Sequence, residues 1–250
     1  EADNTAVIGA AFAHREKGRH LITSTVEHHT ILHACEYLEK FHGFQVTYLP
    51  VDREGRVSPD DLRRALRPET LLVSIMASNN EIGTIEPIQA LGEICRNAGV
   101  LFHTDAVQSA GKVPLSLKDW PVDLAAISGH KLYGPKGIGA LYIRRGVQLH
   151  ALLHGGAHEK NRRAGTENVP GAVGLGAACD VALKEMATEE PRVRALRDRL
   201  EKGLLERIPF VYVNGHPTEQ LGNTTNLTFE GVEGESLVLA LDQAGFTLKN

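Results

Sequence analysis

The feature that most constrains the fold is a repeated alternation of short apolar runs with amphipathic segments. Residues 71–77, LLVSIMA, form a continuous apolar run, which is typical of a strand covered on both faces. Helical patterns with polar or proline starts and glycine ends stand before and after it. This alternation predicts an α/β fold with a mostly parallel, doubly wound sheet, whose ligands bind at the carboxyl ends of the strands.

The first two thirds of the chain follow this alternation closely. We expect helices at 1–15, 27–41, 58–66 and 87–97, and strands at 20–26, 44–49, 71–77, 100–104 and 124–128. Ser58 is predicted to cap the third helix, with Pro59 at its first position. Gly43 and Gly99 are predicted to end the second and fourth helices.

The remaining third has a different pattern and predicts a second, smaller domain. A long helix at 168–186 leads into it, followed by a helix at 194–206, strands at 211–213 and 226–229, and a helix at 233–244. We expect a large domain over 1–185 and the start of an incomplete α+β domain over 186–250. The helical start at Glu1 and an extended segment at Lys249–Asn250 suggest that both ends of the fold continue beyond these residues.

Composition excludes several classes of partner. The chain has 250 residues, a formal net charge of -4 and no lysine- and arginine-rich run, so neither nucleic acid nor an acidic membrane surface is indicated. No apolar segment approaches the roughly 18 residues of a spanning helix. Cys35, Cys95 and Cys179 suit neither a disulfide framework nor a zinc site, which predicts a reducing, cytoplasmic compartment.

Hydrogen-bonding side chains follow four of the predicted strands. They are His28, Asn79, Asn80, Glu81, Asp105, Gln108, Ser128, His130 and Lys131. Alone, Asp105 could simply cap the next helix, and Lys131 could be a surface lysine in a hairpin. Together they fit an aspartate on the pyridine nitrogen and a lysine on the aldehyde of pyridoxal 5′-phosphate (PLP).

Five ordered motifs resemble those of a known family. SNNEIGTIEPI, HTDAVQSAGKVPL, SGHKLYGPKGIGALYIRR, RRAGTENVPG and GVEGESLVLALD are similar to motifs of cysteine desulfurases in the class V aminotransferase superfamily, in the group that serves nitrogenase and iron–sulfur cluster assembly. The resemblance runs from Glu1 to about Asp242. It implies a fold-type I PLP-dependent homodimer, with residues 1–185 as the PLP-binding domain. The implied reaction converts L-cysteine to L-alanine and leaves the sulfur on a protein cysteine as a persulfide, for an iron–sulfur scaffold or another sulfur-acceptor protein.

The resemblance also implies roles for three central residues. Lys131 matches the catalytic lysine that bonds to the cofactor's aldehyde and moves protons as an acid and base. Asp105 matches the aspartate that keeps the pyridine nitrogen protonated. His28 matches a catalytic histidine that stacks on the ring and shares in proton transfer.

Five further cofactor-binding residues are implied in the same way. Asn80 and Gln108 match groups near the phenolic oxygen and the substrate. Ser128 and His130 match ligands of the phosphate, since a hydroxyl and an imidazole both donate to a dianion. Thr166 matches a threonine that reaches the phosphate of the partner subunit.

The chain departs from the family pattern at its ends. The glycine-rich phosphate turn would precede Glu1, and the nucleophilic cysteine and the carboxylate-binding arginine would follow Asn250. We interpret Cys35, Cys95 and Cys179 as small core residues rather than replacements for that cysteine. Two alternatives remain open, namely another class V PLP enzyme such as a selenocysteine lyase or an aminotransferase, and a non-catalytic PLP-binding scaffold.

A metal site is not expected. His29 and His33 have helical spacing, and His154 and His158 share a loop, but neither pair has a third ligand in its motif. Arg162 and Arg163 are either solvated charges or anchors near the cofactor. The lone tryptophan, Trp120, is interpreted as a packing residue.

Overall fold

A computed structural model of the chain describes residues 1–248. Its helices are α1 (Ala2–His14), α2 (His29–His42), α3 (Pro59–Ala65), α4 (Ile88–Ala98), α5 (Val169–Arg207) and α6 (Gly234–Gln243). Its strands are β1 (His20–Ser24), β2 (Gln45–Leu49), β3 (Thr70–Ser74), β4 (Leu101–Asp105), β5 (Leu124–Ser128), β6 (Gly139–Ile143), β7 (Val211–Asn214) and β8 (Asn226–Phe229). Short 3-10 helices lie at Gly129–Leu132 and His158–Asn161.

The central sheet has six strands in the order β2-β1-β3-β4-β5-β6. The first five are parallel to their neighbours, and β6 runs antiparallel to β5. Helices α1 and α2 pack into one buried cluster with the sheet, and α3 and α4 pack into another. Leu72 belongs to the first cluster and its neighbour Val73 to the second, as expected for a strand with two buried faces. The predicted α/β class with a mostly parallel, doubly wound sheet is therefore confirmed.

Turn and cap chemistry explains where most elements begin and end. The Ser58 hydroxyl accepts hydrogen bonds from the backbone N–H groups of Asp60 and Asp61, and Pro59 occupies the first turn of α3, as predicted. Gly43 and Gly99 end α2 and α4 in the left-handed conformation, with φ of 66° and 67°. Both stop signals were predicted correctly.

Strand β1 is shorter than predicted. It ends at Ser24 instead of Val26 because the Ser24 hydroxyl accepts a hydrogen bond from the Val26 N–H at 3.3 Å, which turns the chain away from the ladder. Helix α2 accordingly begins at His29, with His28 as its N-cap. The two shifts together lengthen the loop at the carboxyl end of β1.

The prediction of separate helices at 168–186 and 194–206 was wrong. Helix α5 runs without interruption for 39 residues from Val169 to Arg207 and contains Pro191. A proline inside a helix removes one backbone donor and crowds the carbonyl four residues before it, so it destabilises a helix without always ending it. The predicted boundary between residues 185 and 186 therefore falls within a continuous helix.

The segment between β7 and β8 packs against the loop that follows β3. The Ile85 N–H donates to the Glu219 carbonyl at 2.8 Å, and the Leu221 N–H donates to the Gly83 carbonyl at 2.9 Å. The Gln220 side-chain amide donates to the Ile82 carbonyl at 2.9 Å. These bonds hold the β3 loop from the outside, although the two segments are far apart in the sequence.

The extended segment predicted at Lys249–Asn250 lies outside the described residues. Within residues 1–248, no helix is both long enough and apolar enough to cross a membrane.

The close packing around Gly92 leads to a testable prediction about stability. A Cβ added to Gly92 in α4 would lie 2.5 Å from the Pro121 carbonyl oxygen and 3.0 Å from the Phe102 ring. We expect Gly92→Ala to lower the free energy of unfolding by about 1 to 3 kcal/mol through overpacking. Gly176→Ala in α5 is the matched control, because its Cβ would meet nothing within 4 Å, and alanine should then stabilise the helix by up to about 1 kcal/mol. Urea unfolding of both variants checks this, and equal stabilities would contradict it.

Candidate active site

The carboxyl edge of the sheet collects most of the residues that the sequence singled out. Strands β1, β3, β4 and β5 are parallel neighbours, so the segments that follow them emerge at one edge. The sequence-predicted residues brought to this edge are His28, Asn80, Asp105, Gln108, Ser128, His130 and Lys131. Their proximity follows from strand order and was predictable from their positions at strand ends.

Asp105 is a buried ionisable group at this edge, as is Glu27 in the loop that follows β1. It is the last residue of β4 and is 6% exposed, and its Oδ1 accepts a hydrogen bond from the Val107 N–H at 2.9 Å. Burial raises the pKa of the Asp105 carboxyl to about 7, and the negative charge of Asp3 raises it further. The positive charge of Lys131 lowers it. A buried carboxyl in this state is stabilised by any cation that enters the edge of the sheet.

Lys131 is presented by a tight turn at the end of β5. It lies in the 3-10 helix Gly129–Leu132, which is followed by Tyr133 in the left-handed conformation with a φ of 60°. The Gly134 N–H donates to the Gly129 carbonyl at 2.9 Å and closes the turn. A Cβ at position 129 would lie 2.9 Å from a side-chain carbon of Ile138, so only glycine fits there without a shift of its neighbours. The turn thus brings the half-buried residue Lys131 close enough to Asp105, at the end of the adjacent strand, for its charge to lower the pKa of that carboxyl.

Ser128 and His130 form a pair in the same turn. The Ser128 hydroxyl and the Nδ1 atom of His130 are hydrogen-bonded at 2.8 Å. Ser128 is half-buried, and His130 is exposed. Because this bond uses only one ring nitrogen, the Nε2 atom of His130 stays available to an anion next to the serine.

His28 lies at the carboxyl end of β1 and is exposed. Its Nδ1 atom accepts a hydrogen bond from the Thr30 N–H at 3.2 Å and thereby caps α2. In the neutral ring the proton is therefore on Nε2. That nitrogen is the one that can donate a proton towards the edge of the sheet.

The two asparagines after β3 do different work. Asn79 is buried, and its side-chain NH₂ donates to the Val26 carbonyl at 3.1 Å while its Oδ1 accepts from the N–H groups of Glu81 and Ile82. It therefore ties the β3 loop to the β1 loop. Asn80 is half-buried, and its NH₂ donates to the Glu81 carboxylate at 2.8 Å.

Gln108 contacts Lys112, which was not among the residues predicted to form the site. Its Oε1 atom accepts a hydrogen bond from the Lys112 ammonium at 3.1 Å. This pair could have been found in the sequence. Gln108 and Lys112 are four residues apart in the segment after Asp105, and this spacing places two side chains on the same side of a helical turn.

A buried network of polar side chains near Asp105 was also not predicted from the sequence. It consists of Asp3, Thr30, Ser74 and His103. Nδ1 of His103 is hydrogen-bonded to the Ser74 hydroxyl at 2.8 Å, and Nε2 lies 3.6 Å from a carboxylate oxygen of Asp3. The Thr30 hydroxyl donates to the other Asp3 oxygen at 3.0 Å. Burial lowers the pKa of His103 to about 4, so the ring is neutral at pH 7 and leaves the Asp3 charge close to Asp105. No local spacing could have revealed contacts among residues so far apart in the sequence.

Thr166 is the one predicted site residue that does not follow a strand of the central sheet, since it lies in the segment before α5. It is exposed and has no side-chain hydrogen bond within residues 1–248. In the same segment, His158 pairs with Glu167 at 2.9 Å. Arg163 pairs with Glu1 at 2.9 Å, so it is not a purely solvated charge, and its place near the cofactor stays a prediction.

The cysteines and the histidine pairs show no catalytic or metal geometry. Burial raises the pKa values of Cys35 and Cys95 to about 12, so both are neutral thiols in the core. Cys179 is half-buried. The rings of His29 and His33 stack with their centroids 5.2 Å apart. In the part of the chain that the structure describes, no group of three or more potential metal ligands occurs.

The chemistry of this edge fits the groups of PLP. A buried carboxyl at Asp105 suits a protonated pyridine nitrogen, and the amine of Lys131 suits an aldehyde. The hydroxyl of Ser128 and the imidazole of His130 suit a phosphate. The amide of Gln108 suits a phenolic oxygen.

Comparisons with known proteins agree with this chemistry. The family model for class-V aminotransferases matches residues 1–250. A cysteine desulfurase, IscS, of Methanosarcina thermophila is 57% identical over 245 residues, which cover 98% of this chain and 60% of that protein. The chain therefore spans less than two thirds of the length of this curated relative.

Solved structures give the same picture of the fold. A NifS-like protein is 37% identical with a TM-score of 0.95, and the match covers 100% of this chain and 68% of that one. A structure described as SspA in complex with cysteine is 37% identical with a TM-score of 0.81, covering 97% of this chain and 67% of that one.

The raised pKa of Asp105 predicts how stability depends on pH in the cofactor-free protein. The folded-state pKa of about 7 lies above the ordinary value of 3.8. Between pH 3.8 and about pH 7, the folded protein therefore retains a proton that the unfolded chain has lost. Stability from this group is thus lost as the pH rises through that window. We expect Asp105→Asn to stabilise the cofactor-free protein by about 1 to 3 kcal/mol at pH 8 and by little at pH 4.5, as measured by thermal unfolding.

Glu86→Gln is the matched control for this prediction. Burial raises the pKa of Glu86 to about 7 as well, and its Oε2 accepts a hydrogen bond from the Val57 N–H, so it should show the same trend with pH. Only Asp105→Asn should also abolish stabilisation by added PLP. An Asp105→Asn protein that is less stable than the wild type at pH 8 would contradict the burial argument.

Proposed function

The chain belongs to the class-V aminotransferase family, and on that premise we propose that the protein is a PLP-dependent cysteine desulfurase. It converts L-cysteine to L-alanine and passes the sulfur on as a persulfide for iron–sulfur cluster assembly or thiolation. The observation that carries this proposal is that neighbouring parallel strands bring Lys131 and the buried carboxyl of Asp105 to the same carboxyl edge of the sheet. The similarity to a protein named cysteine desulfurase, and to a structure described with cysteine, supports the choice of substrate.

Bound PLP supplies an aldehyde for the substrate amine and a protonated ring that accepts electron density from the substrate Cα. Asp105 holds the proton on the ring nitrogen, because a carboxylate in a buried site is stabilised strongly by a cation at contact. The amine of Lys131 would hold the aldehyde of the cofactor. The same amine would serve as the base that takes the proton from the substrate Cα, because it is positioned at this edge of the sheet.

The surrounding residues bind and orient. We propose that Ser128 and His130 donate to the phosphate from their common turn, and that Asn80 and Gln108 donate to the phenolic oxygen or the substrate. His28 would contact the cofactor and exchange a proton through Nε2, since Nδ1 is occupied by the Thr30 N–H.

The sulfur-transfer step needs a thiol that Cys35 and Cys95 cannot supply, because both are buried with pKa values raised to about 12. We propose that the accepting cysteine lies elsewhere in the protein. Its thiolate bonds to the substrate sulfur, the Cβ–S bond breaks with its electron pair left on carbon, and that carbon takes up a proton as alanine forms.

The organisation of the protein is part of the same proposal. Residues 1–185 form the PLP-binding large domain, and residues 186–250 begin the small domain. The protein is a cytoplasmic homodimer in which Thr166 serves the phosphate site of the partner subunit, a role consistent with its exposed position. Its macromolecular partner is an iron–sulfur scaffold or another sulfur-acceptor protein.

Turnover of L-cysteine tests the proposed reaction. With added PLP and a thiol reductant, the purified protein should release one alanine per cysteine consumed. Lys131→Ala should lose about a thousandfold or more of this rate, because one residue supplies both the amine and the acid–base group. Lys136→Ala is the matched control, since Lys136 is an exposed lysine in the following turn, and it should keep the wild-type rate within about twofold.

The outcomes separate the proposal from its alternatives. Turnover of selenocysteine but not of cysteine would indicate a selenocysteine lyase, and amino-group transfer to a keto acid would indicate an aminotransferase. Alanine formation by Lys131→Ala at the wild-type rate would refute the role given to Lys131.

A further inference from the structure

The segment after β4 folds into a compact turn that places two polar side chains together. The Ala110 N–H donates to the Ala106 carbonyl at 2.9 Å, and the Lys112 N–H donates to the Ser109 carbonyl at 3.0 Å. This turn brings the Lys112 ammonium to 3.1 Å from Oε1 of Gln108. Both side chains are half-buried.

The chemistry of this contact fixes the orientation of the Gln108 amide. An ammonium group has three donors and no acceptor, so the amide atom that faces it must be the carbonyl oxygen. The NH₂ group of Gln108 therefore faces away from Lys112. This assignment does not depend on the usual ambiguity between the oxygen and nitrogen of a glutamine side chain.

Lys112 also lies close to the site formed by Asp105 and Lys131. Burial lowers the pKa of Lys112 to about 8, and the positive charge of Lys131 lowers it further. Lys112 is therefore not an ordinary solvated lysine. At pH 7 it is still mostly protonated and can hold the amide.

We propose that Lys112 is a positioning residue of the PLP site, which holds the Gln108 amide with its NH₂ group available to the cofactor's phenolic oxygen. The proposal rests on the function proposed above. Without Lys112, the amide could rotate and present its carbonyl oxygen to an anionic oxygen, which is repulsive. With Lys112 the donating orientation is set before the cofactor arrives, so binding requires no rearrangement at this position.

Three substitutions at position 112 and its neighbourhood test the proposal on the PLP-loaded protein. In Lys112→Gln, the new amide can accept as well as donate, so the orientation of Gln108 is no longer fixed. We expect the Kd for PLP to rise about three- to tenfold and the visible absorbance maximum of bound PLP to shift. Lys112→Arg has only donors and should restore both. Lys118 is an exposed lysine on the following loop, and Lys118→Gln should leave the Kd for PLP and the absorbance maximum unchanged.

A double-mutant cycle with Gln108→Leu tests whether Lys112 acts through Gln108. If it does, Lys112→Gln should have little further effect on the Kd for PLP once Gln108 is leucine. Thermal unfolding of each cofactor-free variant separates a loss of folding from a loss of positioning. If Lys112→Gln does not fold, the comparison of Lys112→Arg with the wild type decides, and a shifted absorbance maximum in Lys112→Arg would overturn the proposal.

Other outcomes would also overturn it. Equal effects of Lys112→Gln in the wild-type and Gln108→Leu backgrounds would show that Lys112 acts independently of Gln108. An unchanged Kd and absorbance in Lys112→Gln would show that it does not position the amide. If the wild-type protein showed no visible absorbance that depends on Lys131, the proposed function and this inference would fail together. That result is distinguishable from the results above, which overturn only the role of Lys112.

Discussion

The burial of one carboxyl group, that of Asp105, is the constraint on which the site depends. The sheet takes this group out of water at the end of β4, and the nearby charge of Asp3 adds to the penalty. His103 is held neutral by its own burial and does not offset that charge. The fold therefore maintains an electrostatically unfavourable arrangement that a bound cation relieves. A protonated pyridine nitrogen is such a cation. A site of this kind therefore favours a ligand that carries a protonated ring nitrogen over anionic ligands that lack one.

The loops at the carboxyl edge are held from outside the large sheet. Asn79 ties the β3 loop to the β1 loop, and Gln220 donates to Ile82 in the same loop. Arg197 of α5 in turn donates to Oε1 of Gln220 at 2.7 Å. Since α5 is one continuous helix, this chain of bonds joins the segment around β7 and β8 to the position of Asn80. The geometry of the site therefore depends on residues well beyond the sheet that carries it.

Local patterns in the sequence predicted much of this arrangement. The stop signals at Gly43 and Gly99, the cap at Ser58 and the polar residues at strand ends depend on interactions within a few positions of the chain. The order of the strands was not predicted, because right-handed strand–helix–strand connections are compatible with several orders. The network of Asp3, Ser74 and His103 could not be predicted in this way, because it forms only when separate strands pair. The continuity of α5 through Pro191 was not predicted either, because proline is unfavourable inside a helix and is normally taken as a boundary.

The most direct test of the account is to identify the amine that holds the cofactor. The protein is incubated with PLP, reduced with borohydride so that the cofactor stays covalently attached, digested and mapped by mass spectrometry. We predict that Lys131 carries the phosphopyridoxyl mass as the dominant site. We also predict that this label is lost in Asp105→Asn at the same PLP concentration, because the ring nitrogen then has no carboxylate. Modification spread over exposed lysines such as Lys118 and Lys136, or equal labelling of Lys131 in Asp105→Asn, would contradict it.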